Sequence, residues 1–375
     1  MRCKLRSCLI LLCSYVAEAG DRKSCNSGAR GENIYKHYTG TIGGRKVVLD
    51  LRYGFCGASN FGGSYLYFSD ANETRCLSIY EPNSFAHNVE LHAAERPVNY
   101  YFGNHDDVPY PSWSFVIKDS LLIGRWESAD KKTTEAIRLV EDYSRSVKLD
   151  IAFYDDSAKT MQPGKPMRTA YFTYLGIVPS SAMSNASVRL INNEILKMTE
   201  VDHQDITDIP TMLSAIAQQR FNDFQIRYGQ LPSDTTLPEW RPYNFSYGTL
   251  IFPVYNEHGI LSLEMCYTGK IQPHYACIDL TDQKTIKLSD LLNIDKVKLP
   301  MLIRNEYIHT SDSETIRSFP PDRIGIPEKF MVTGKGLICC YAYNGSGYKA
   351  ETRVFVSYKK LAALLNKEFK NRMGL

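Results

Sequence analysis

Three short clusters in the chain carry side chains that could do chemistry. His105-Asp106-Asp107 sets an imidazole beside two carboxylates, groups that tune one another's pKa and serve as acid–base pairs or metal ligands. Adjacent residues cannot all face one centre, and the cluster sits between Gly103 and Pro109, where a turn accounts for its aspartates. Asp202-His203-Gln204-Asp205 offers the same two readings, and capping of the following helix fits it better. Tyr267, Lys270 and His274 place a hydroxyl, a cation and an imidazole near one another in the chain, able to hold an anionic or sugar ligand or to cap a turn. Nucleophilic catalysis has no supporting pattern: there is no Gly-x-Ser-x-Gly elbow, phosphate loop or zinc-protease motif. No catalytic residue and no cofactor is expected.

The cysteines point to compartment rather than catalysis. Arg2, Lys4 and Arg6 precede an almost wholly apolar run from Cys8 to Val16, and Ala17-Glu18-Ala19 supplies small residues at the two positions a signal peptidase requires. This is the pattern of a secretory signal peptide over residues 1–19, cleaved after Ala19. The apolar run is short of the roughly 20 residues a spanning helix needs, so no transmembrane helix is expected after cleavage. A lipoprotein would acylate Cys13, but Leu12 is bulky where a small residue is required. Cleavage would leave Cys25, Cys56, Cys76, Cys266, Cys277, Cys339 and Cys340. An exported chain permits disulfides; Cys266 with Cys277 and Cys56 with Cys76 are the candidate pairs, buried free thiols the alternative. No C-x-x-C pair exists for zinc, and Cys339 and Cys340 would face opposite sides of a strand.

The chain has 375 residues, 43% hydrophobic and 23% charged, with a net charge of +3. It is long enough for two domains, and the charge is too small to imply a nucleic-acid partner. From Ile34 onward short strand patterns follow one another, at Tyr38–Ile42, Lys46–Tyr53, Ser64–Phe68, Arg75–Tyr80, Val89–Ala93, Trp113–Lys118, Ser120–Trp126, Glu135–Leu139 and Leu149–Tyr154. With no helical pattern between them, they predict an antiparallel β-meander or barrel-like domain over residues 30–160. The Pro163, Gly164, Pro166 stretch reads as a linker.

An α+β domain is predicted over 168–370, with helices packed on an antiparallel sheet. Helix Asn185–Met198 repeats Val188, Ile191, Ile195 and Met198 at helical spacing. A second helix has Asp208 as cap, Pro210 in its first turn and Leu213, Ala217, Phe221 and Phe224 on one face. Along Ile260–Tyr267, Leu261, Leu263 and Met265 alternate with Ser262, Glu264 and Cys266, which predicts one core face and one wetter face. The segment His309–Gly325 reads as a loop. Phe330–Thr333 and Leu337–Ala342 form a hairpin about Gly334-Lys335-Gly336, whose glycines suit positive φ. A strand at Thr352–Val356 and a helix capped by Ser357 close the chain. Most aromatics belong to strand packing, although Trp113, Trp126 and Trp240 could include a sugar-stacking platform. Tyr341, Tyr343 and Tyr348 flank a glycine-rich loop that cannot easily bury all three.

In this order, VRLINNEILKM (Val188–Met198), YNEHGILSLEMCYTG (Tyr255–Gly269), IDLTDQKTIKLSDLL (Ile278–Leu292), IPEKFMVTGKGLICCYAY (Ile326–Tyr343) and VFVSYKKLAALL (Val354–Leu365) resemble the exported α+β domain of the RsiV/PdaC type. That domain is shared by an anti-sigma factor and a peptidoglycan deacetylase, and in the latter it accompanies the deacetylase domain. Two loops depart from the family. A Gly-Gly-Ala-His-Gly turn is replaced by Thr268-Gly269-Lys270-Ile271-Gln272-Pro273-His274, and a Tyr-Glu-Ile-Ala segment by Tyr343-Asn344-Gly345-Ser346-Gly347. In the first half GTIGG, GGSYLYFS and LLIGRWES resemble β-domains of exported Bacteroidetes proteins. The signal peptide and the resemblance, with no catalytic set beside them, point to an exported, periplasmic or extracellular cell-envelope protein that binds a glycan or protein component through loops of its second domain without catalysis. The ligand-binding candidates are Tyr267, Lys270, His274, Tyr341, Tyr343 and Tyr348. A glycan- or peptidoglycan-acting hydrolase or deacetylase is the alternative, and a structural envelope subunit a third.

Overall fold

The computed structural model describes residues 17–19, 34–56, 59–80, 90–97, 109–160, 168–199, 206–228, 244–267, 273–311, 313–345 and 348–375. A short strand, β1 (Ala17–Ala19), precedes eight strands that close a barrel: β2 (Ile34–Ile42), β3 (Arg45–Cys56), β4 (Ser59–Phe68), β5 (Thr74–Tyr80), β6 (Leu91–Pro97), β7 (Ser112–Lys118), β8 (Leu121–Glu127) and β9 (Thr134–Glu141). Each pairs antiparallel with the next, and β9 returns to β2 with Tyr38 opposite Glu141. Closure removes every free edge from this sheet. Alternation does the rest: Tyr38, Leu49, Leu66, Trp113, Phe115, Leu122 and Leu139 point inward and fill the lumen.

One mouth of the barrel is sealed by paired charges. The Glu95 carboxylate, 2% exposed, accepts hydrogen bonds from the indole N–H groups of Trp113 at 3.1 Å and Trp126 at 2.9 Å and pairs with Arg75. Beside it Arg45 pairs with Glu135 at 3.1 Å and lies 4.4 Å from the Phe68 ring centroid. Trp113 is therefore a packed core residue whose polar edge is spent on Glu95, not a platform for sugar.

Two further sheets and seven helices form the α+β half of the described structure. Strands β10 (Leu149–Thr160), β11 (Arg168–Pro179), β12 (Asn244–Glu257), β13 (Ile260–Tyr267), β14 (His274–Asp279) and β15 (Lys284–Thr285) lie side by side, with β1 on the outer edge of β10. The β11–β12 pair is parallel; a parallel pair needs a crossover, and α1 (Asn185–Met198) and α2 (Ile209–Tyr228) lie in it. Ser184 caps α1 by accepting from Ser187 N, and Asp208 accepts from Thr211 N at 2.8 Å at the start of α2. Their apolar faces cover the sheet through Ile191, Ile195, Leu213 and Phe224. Helices α3 (Leu288–Leu291), α4 (Lys298–Thr310) and α5 (Ser313–Ser318) lead to β16 (Lys329–Val332), β17 (Gly336–Gly345) and β18 (Tyr348–Ser357), a three-stranded sheet followed by α6 (Tyr358–Leu361) and α7 (Lys367–Met373). The chain is thus an antiparallel barrel followed by an α+β region.

Several details differ from the sequence reading. The Leu149 strand, expected in the barrel, runs twelve residues in the second sheet and pairs with β11 from Leu149–Pro179 to Thr160–Arg168; the Pro/Gly stretch joins two strands of one sheet. The expected loop after His309 holds the end of α4, then α5 and a 3-10 turn at Pro321–Arg323, because Phe319 and Ile324 are buried at 3% and 1% exposure. The expected closing helix is two short ones, with Leu361, Leu364, Leu365 and Phe369 all in the core. Gly334 and Gly336 do not take positive φ. A Cβ on Gly334 would enter the Tyr67 ring, and one on Gly336 would strike the Val356 carbonyl, so close approach selects these glycines.

Gly124 shows the same constraint inside the barrel, where a Cβ would meet the Ser114 carbonyl on the adjacent strand. Gly124→Ala should destabilise the protein by about 1–3 kcal/mol, the usual cost of overpacking. A urea unfolding midpoint equal to that of the wild type would show that the strands have room.

Candidate functional site

The outer face of β2–β5 carries Tyr35, His37, Asp50, Arg52, Tyr65, Tyr67, Thr74 and Cys76 at alternating positions, and this face lies against the other two sheets. The Thr74 hydroxyl donates to that of Thr333 at 2.7 Å, and Lys335 Nζ donates to Ser69 O at 2.7 Å, so the β16–β17 turn sits on the barrel. Two buried polar centres occupy the junction.

The first is built on Arg353 in β18. Its Nη2 donates to Glu264 Oε1 at 2.5 Å and to the Tyr275 hydroxyl at 3.0 Å, and its Nε donates to Glu351 Oε1 at 2.9 Å. The Tyr275 hydroxyl donates in turn to Glu351, and the barrel's Tyr65 donates to Glu264 Oε2 at 2.9 Å. Glu264 is fully buried and Glu351 and Arg353 nearly so. Burial opposes ionisation of Glu264, but Arg353 and Arg52 outweigh it and hold its pKa below the usual range. For Glu351 burial wins and the pKa rises despite Arg353. The predicted wetter face of β13 is therefore a buried one: Ser262 and Glu264 are 0% exposed, since the barrel and the last sheet cover that side while Leu261, Leu263 and Met265 face α1 and α2.

The second centre lies where β12 turns into β13. His37 Nδ1 is 2.8 Å from Asp50 Oδ1, and its Nε2 is 3.9 Å from Glu257. Asp50 also accepts from the Tyr35 hydroxyl at 2.7 Å, Asn256 Nδ2 donates to that hydroxyl at 2.9 Å, and Tyr67 donates to Glu257. Asn256 further holds the backbone of Val147 through both N–H and C=O. His258 and Gly259 take positive φ of 57° and 71°, the geometry of a two-residue hairpin turn. This turn presents His258 Nδ1 to the Tyr255 hydroxyl at 2.6 Å and Nε2 to Arg145.

The sequence-predicted residues are distributed unevenly around these centres. His274 begins β14 opposite Met265 and is partly exposed. Tyr341 is 8% exposed, with its hydroxyl donating to Gly325 O at 2.9 Å. Tyr267 pairs with Thr249, Tyr343 with Ala350 and Tyr348 with Gly345, so the last two stand in strands rather than in a loop; their side chains, Lys270 and the clusters at His105 and Asp202 lie outside the described residues. Tyr275 and Glu351 nevertheless bring together what the sequence treated separately, by tying the beginning of β14 to the beginning of β18. Sequence reasoning missed Glu264, Tyr275, Glu351 and Arg353. The one signal of Glu264, Glu351 and Arg353 was charge at alternating positions in strands whose neighbours are apolar; Tyr275 had none.

Cys266 and Cys277 are free thiols, as are Cys76, Cys339 and Cys340. Cys277 stands opposite Ser262 and Met265 opposite His274, which sets Cys266 and Cys277 about four residues, roughly 13 Å, apart along the ladder. A disulfide requires Cα atoms within about 7 Å, so the expected pair is not made; the Cys56 side chain lies outside the described residues. Burial pushes the Cys76 thiol up to about 12 and Cys277 to about 11, and raises Cys266 and Cys340. Such thiols stay protonated and are poor nucleophiles. No cluster among the described residues has the ligand set of a metal site. The charged groups at the heart of both centres, Glu264, Glu351 and Arg353 in the first and His37, Asp50 and Glu257 in the second, are buried, and their hydrogen bonds fix strands to one another.

Removing Arg353 from the first centre takes from both buried carboxylates the cation they share and leaves Glu264 with the field of Arg52. Arg353→Met should cost about 3–5 kcal/mol, measured by denaturant unfolding; a loss below 1 kcal/mol would mean that the carboxylates escape to water. The second centre gives a pH dependence. Burial disfavours protonation of His37, but Asp50, Glu257 and Asp142 overcome it and raise its pKa. The stability this contributes is present below the unfolded value near 6.5 and is lost as pH rises through the folded pKa. Glu257, raised mainly by burial, acts in the same direction but at lower pH. His258 acts oppositely: burial and Arg145 depress it to about 4, so its contribution fades as pH falls below its unfolded value. The melting temperature should therefore decline as pH rises above about 6.5 through the folded pKa of His37, and His37→Gln should flatten that decline. An unchanged slope in the variant would exclude His37 as its source.

Neither a family model nor a curated protein matches the chain. Among solved structures it is similar to a member of the DUF3298 family from Bacteroides fragilis NCTC 9343, with 15% identity and a TM-score of 0.45, over 61% of this chain and 99% of that one.

Proposed function

We propose that this is an exported cell-envelope protein that binds a glycan or protein component without catalysis, using the end of the α+β region where His274 and the β17–β18 hairpin lie. The observation that carries the reading is the Tyr275–Glu351 hydrogen bond, backed by Arg353. It ties together the two strand starts whose flanking loops depart from the RsiV/PdaC pattern, and it makes their scaffold stiff. A surface held on rigid strands loses little entropy when a ligand binds. The leader-like N-terminus, whose cleavage after Ala19 would remove β1 from the edge of β10, and the order of the RsiV/PdaC-like segments support the envelope assignment.

Binding is measured by calorimetry and melting shift of the full chain with muropeptides and envelope polysaccharides. A saturable heat, weakened at least tenfold in His274→Ala at unchanged unliganded melting temperature, is the expected result. Release of a cleaved or deacetylated product would replace the reading with the hydrolytic one. No heat with any of these ligands and none with purified envelope proteins would leave a structural subunit.

A further inference from the structure

We propose that the cleft between α2 and strands β10 and β11 is a second binding site, specific for a primary ammonium group, with Asp156 as the counter-ion. The cleft is lined by Tyr154, Asp156, Phe172, Gln218 and Phe221. Asp156 and Phe172 are register partners on β10 and β11, so the carboxylate and the ring rise from the same face of the sheet. Phe221 comes down from α2, its ring centroid 6.1 Å from that of Phe172 with the planes tilted by 58°.

Two properties select the ligand. The first is charge. Asp156 accepts from Ser157 N at 2.7 Å and from the Tyr154 hydroxyl at 3.2 Å, and no cation among the described residues pairs with it. Arg220, on the helix above, pairs with Asp223 at 3.4 Å. Arg220 also acts on the Tyr174 hydroxyl beside the cleft, but its ion pair is with Asp223, and a carboxylate among aromatic rings with no cation paired to it attracts one. Gln218 donates its amide N–H to Asn222 at 2.9 Å, which leaves its carbonyl oxygen to accept from a ligand. An ammonium group has three donors and no acceptor, the complement of Asp156 and the Gln218 carbonyl.

The second property is size. The cavity has a volume of about 10 Å³, room for one water-sized group. An –NH₃⁺ head fits; a trimethylammonium head does not. The register pair beside it, Tyr174 and Thr249, is 1% exposed at each residue, and neither hydroxyl has a hydrogen-bond partner among the described residues. The interior next to the cleft thus holds unspent polarity that an apolar ligand would not use. The site stands apart from the His274 surface and does not depend on it.

Calorimetric titration of the full chain with methylammonium, n-butylammonium and tetramethylammonium at fixed ionic strength tests the inference. The two primary amines should bind, tetramethylammonium at least tenfold more weakly, and Asp156→Asn should weaken the amines at least tenfold. Should Asp156→Asn not fold, Gln218→Met serves by the same criterion. Equal response to tetramethylammonium, an unaffected Asp156→Asn, or no heat from either amine overturns it.

Discussion

The arrangement depends above all on one buried cation. Arg353 is enclosed with Glu264, Glu351 and Tyr275, and taking such charges out of water costs several kcal/mol per ion unless geometry recovers it. Recovery requires β18 to hold its place against the paired strands β13 and β14 of the neighbouring sheet, and Tyr65 to arrive from the barrel. The interaction therefore links three sheets at once. Its energetic worth lies less in net stability than in the penalty for any arrangement that leaves one partner behind.

The His37 centre repeats this logic with a weaker, titratable cation. Asp50 belongs to the barrel and Glu257 to the second sheet, so His37 stands between carboxylates from both sides. Tyr35 and Asn256 extend the same contact without charge. Inside the barrel the lumen is packed with side chains and the mouth closed by Arg45, Arg75, Glu95 and Glu135. The barrel's outward face, not its interior, is thus the part that meets the rest of the molecule.

Much of this was legible in the chain. The succession of short alternating strands without helices between them announced a meander, and the Asp208 cap with Pro210 announced α2. Errors arose where a local pattern has two tertiary solutions. Leu149–Tyr154 alternates like the barrel strands before it, and only its pairing with β11 assigns it to the second sheet. Glu264 and Ser262 follow the alternation of a solvated face, yet another sheet covers them. Gly334 looks like a turn glycine, although Tyr67, far away in sequence, is what excludes a side chain there. The candidate site was legible in part: His274 could be named as a polar loop residue, which the structure sets at the start of β14, but the acid–arginine network beside it could not.

By itself the sequence determined the α+β class, the antiparallel character of the first half and the apolar face of β13, because backbone periodicity and local capping act within a few residues. Tertiary structure alone decided which outward faces are buried, which carboxylate meets which cation, and that the strands beginning at His274 and Tyr348 share one support. Those outcomes come from contacts between residues tens to hundreds of positions apart. Their partners are chosen by desolvation, which has no local signature in the chain.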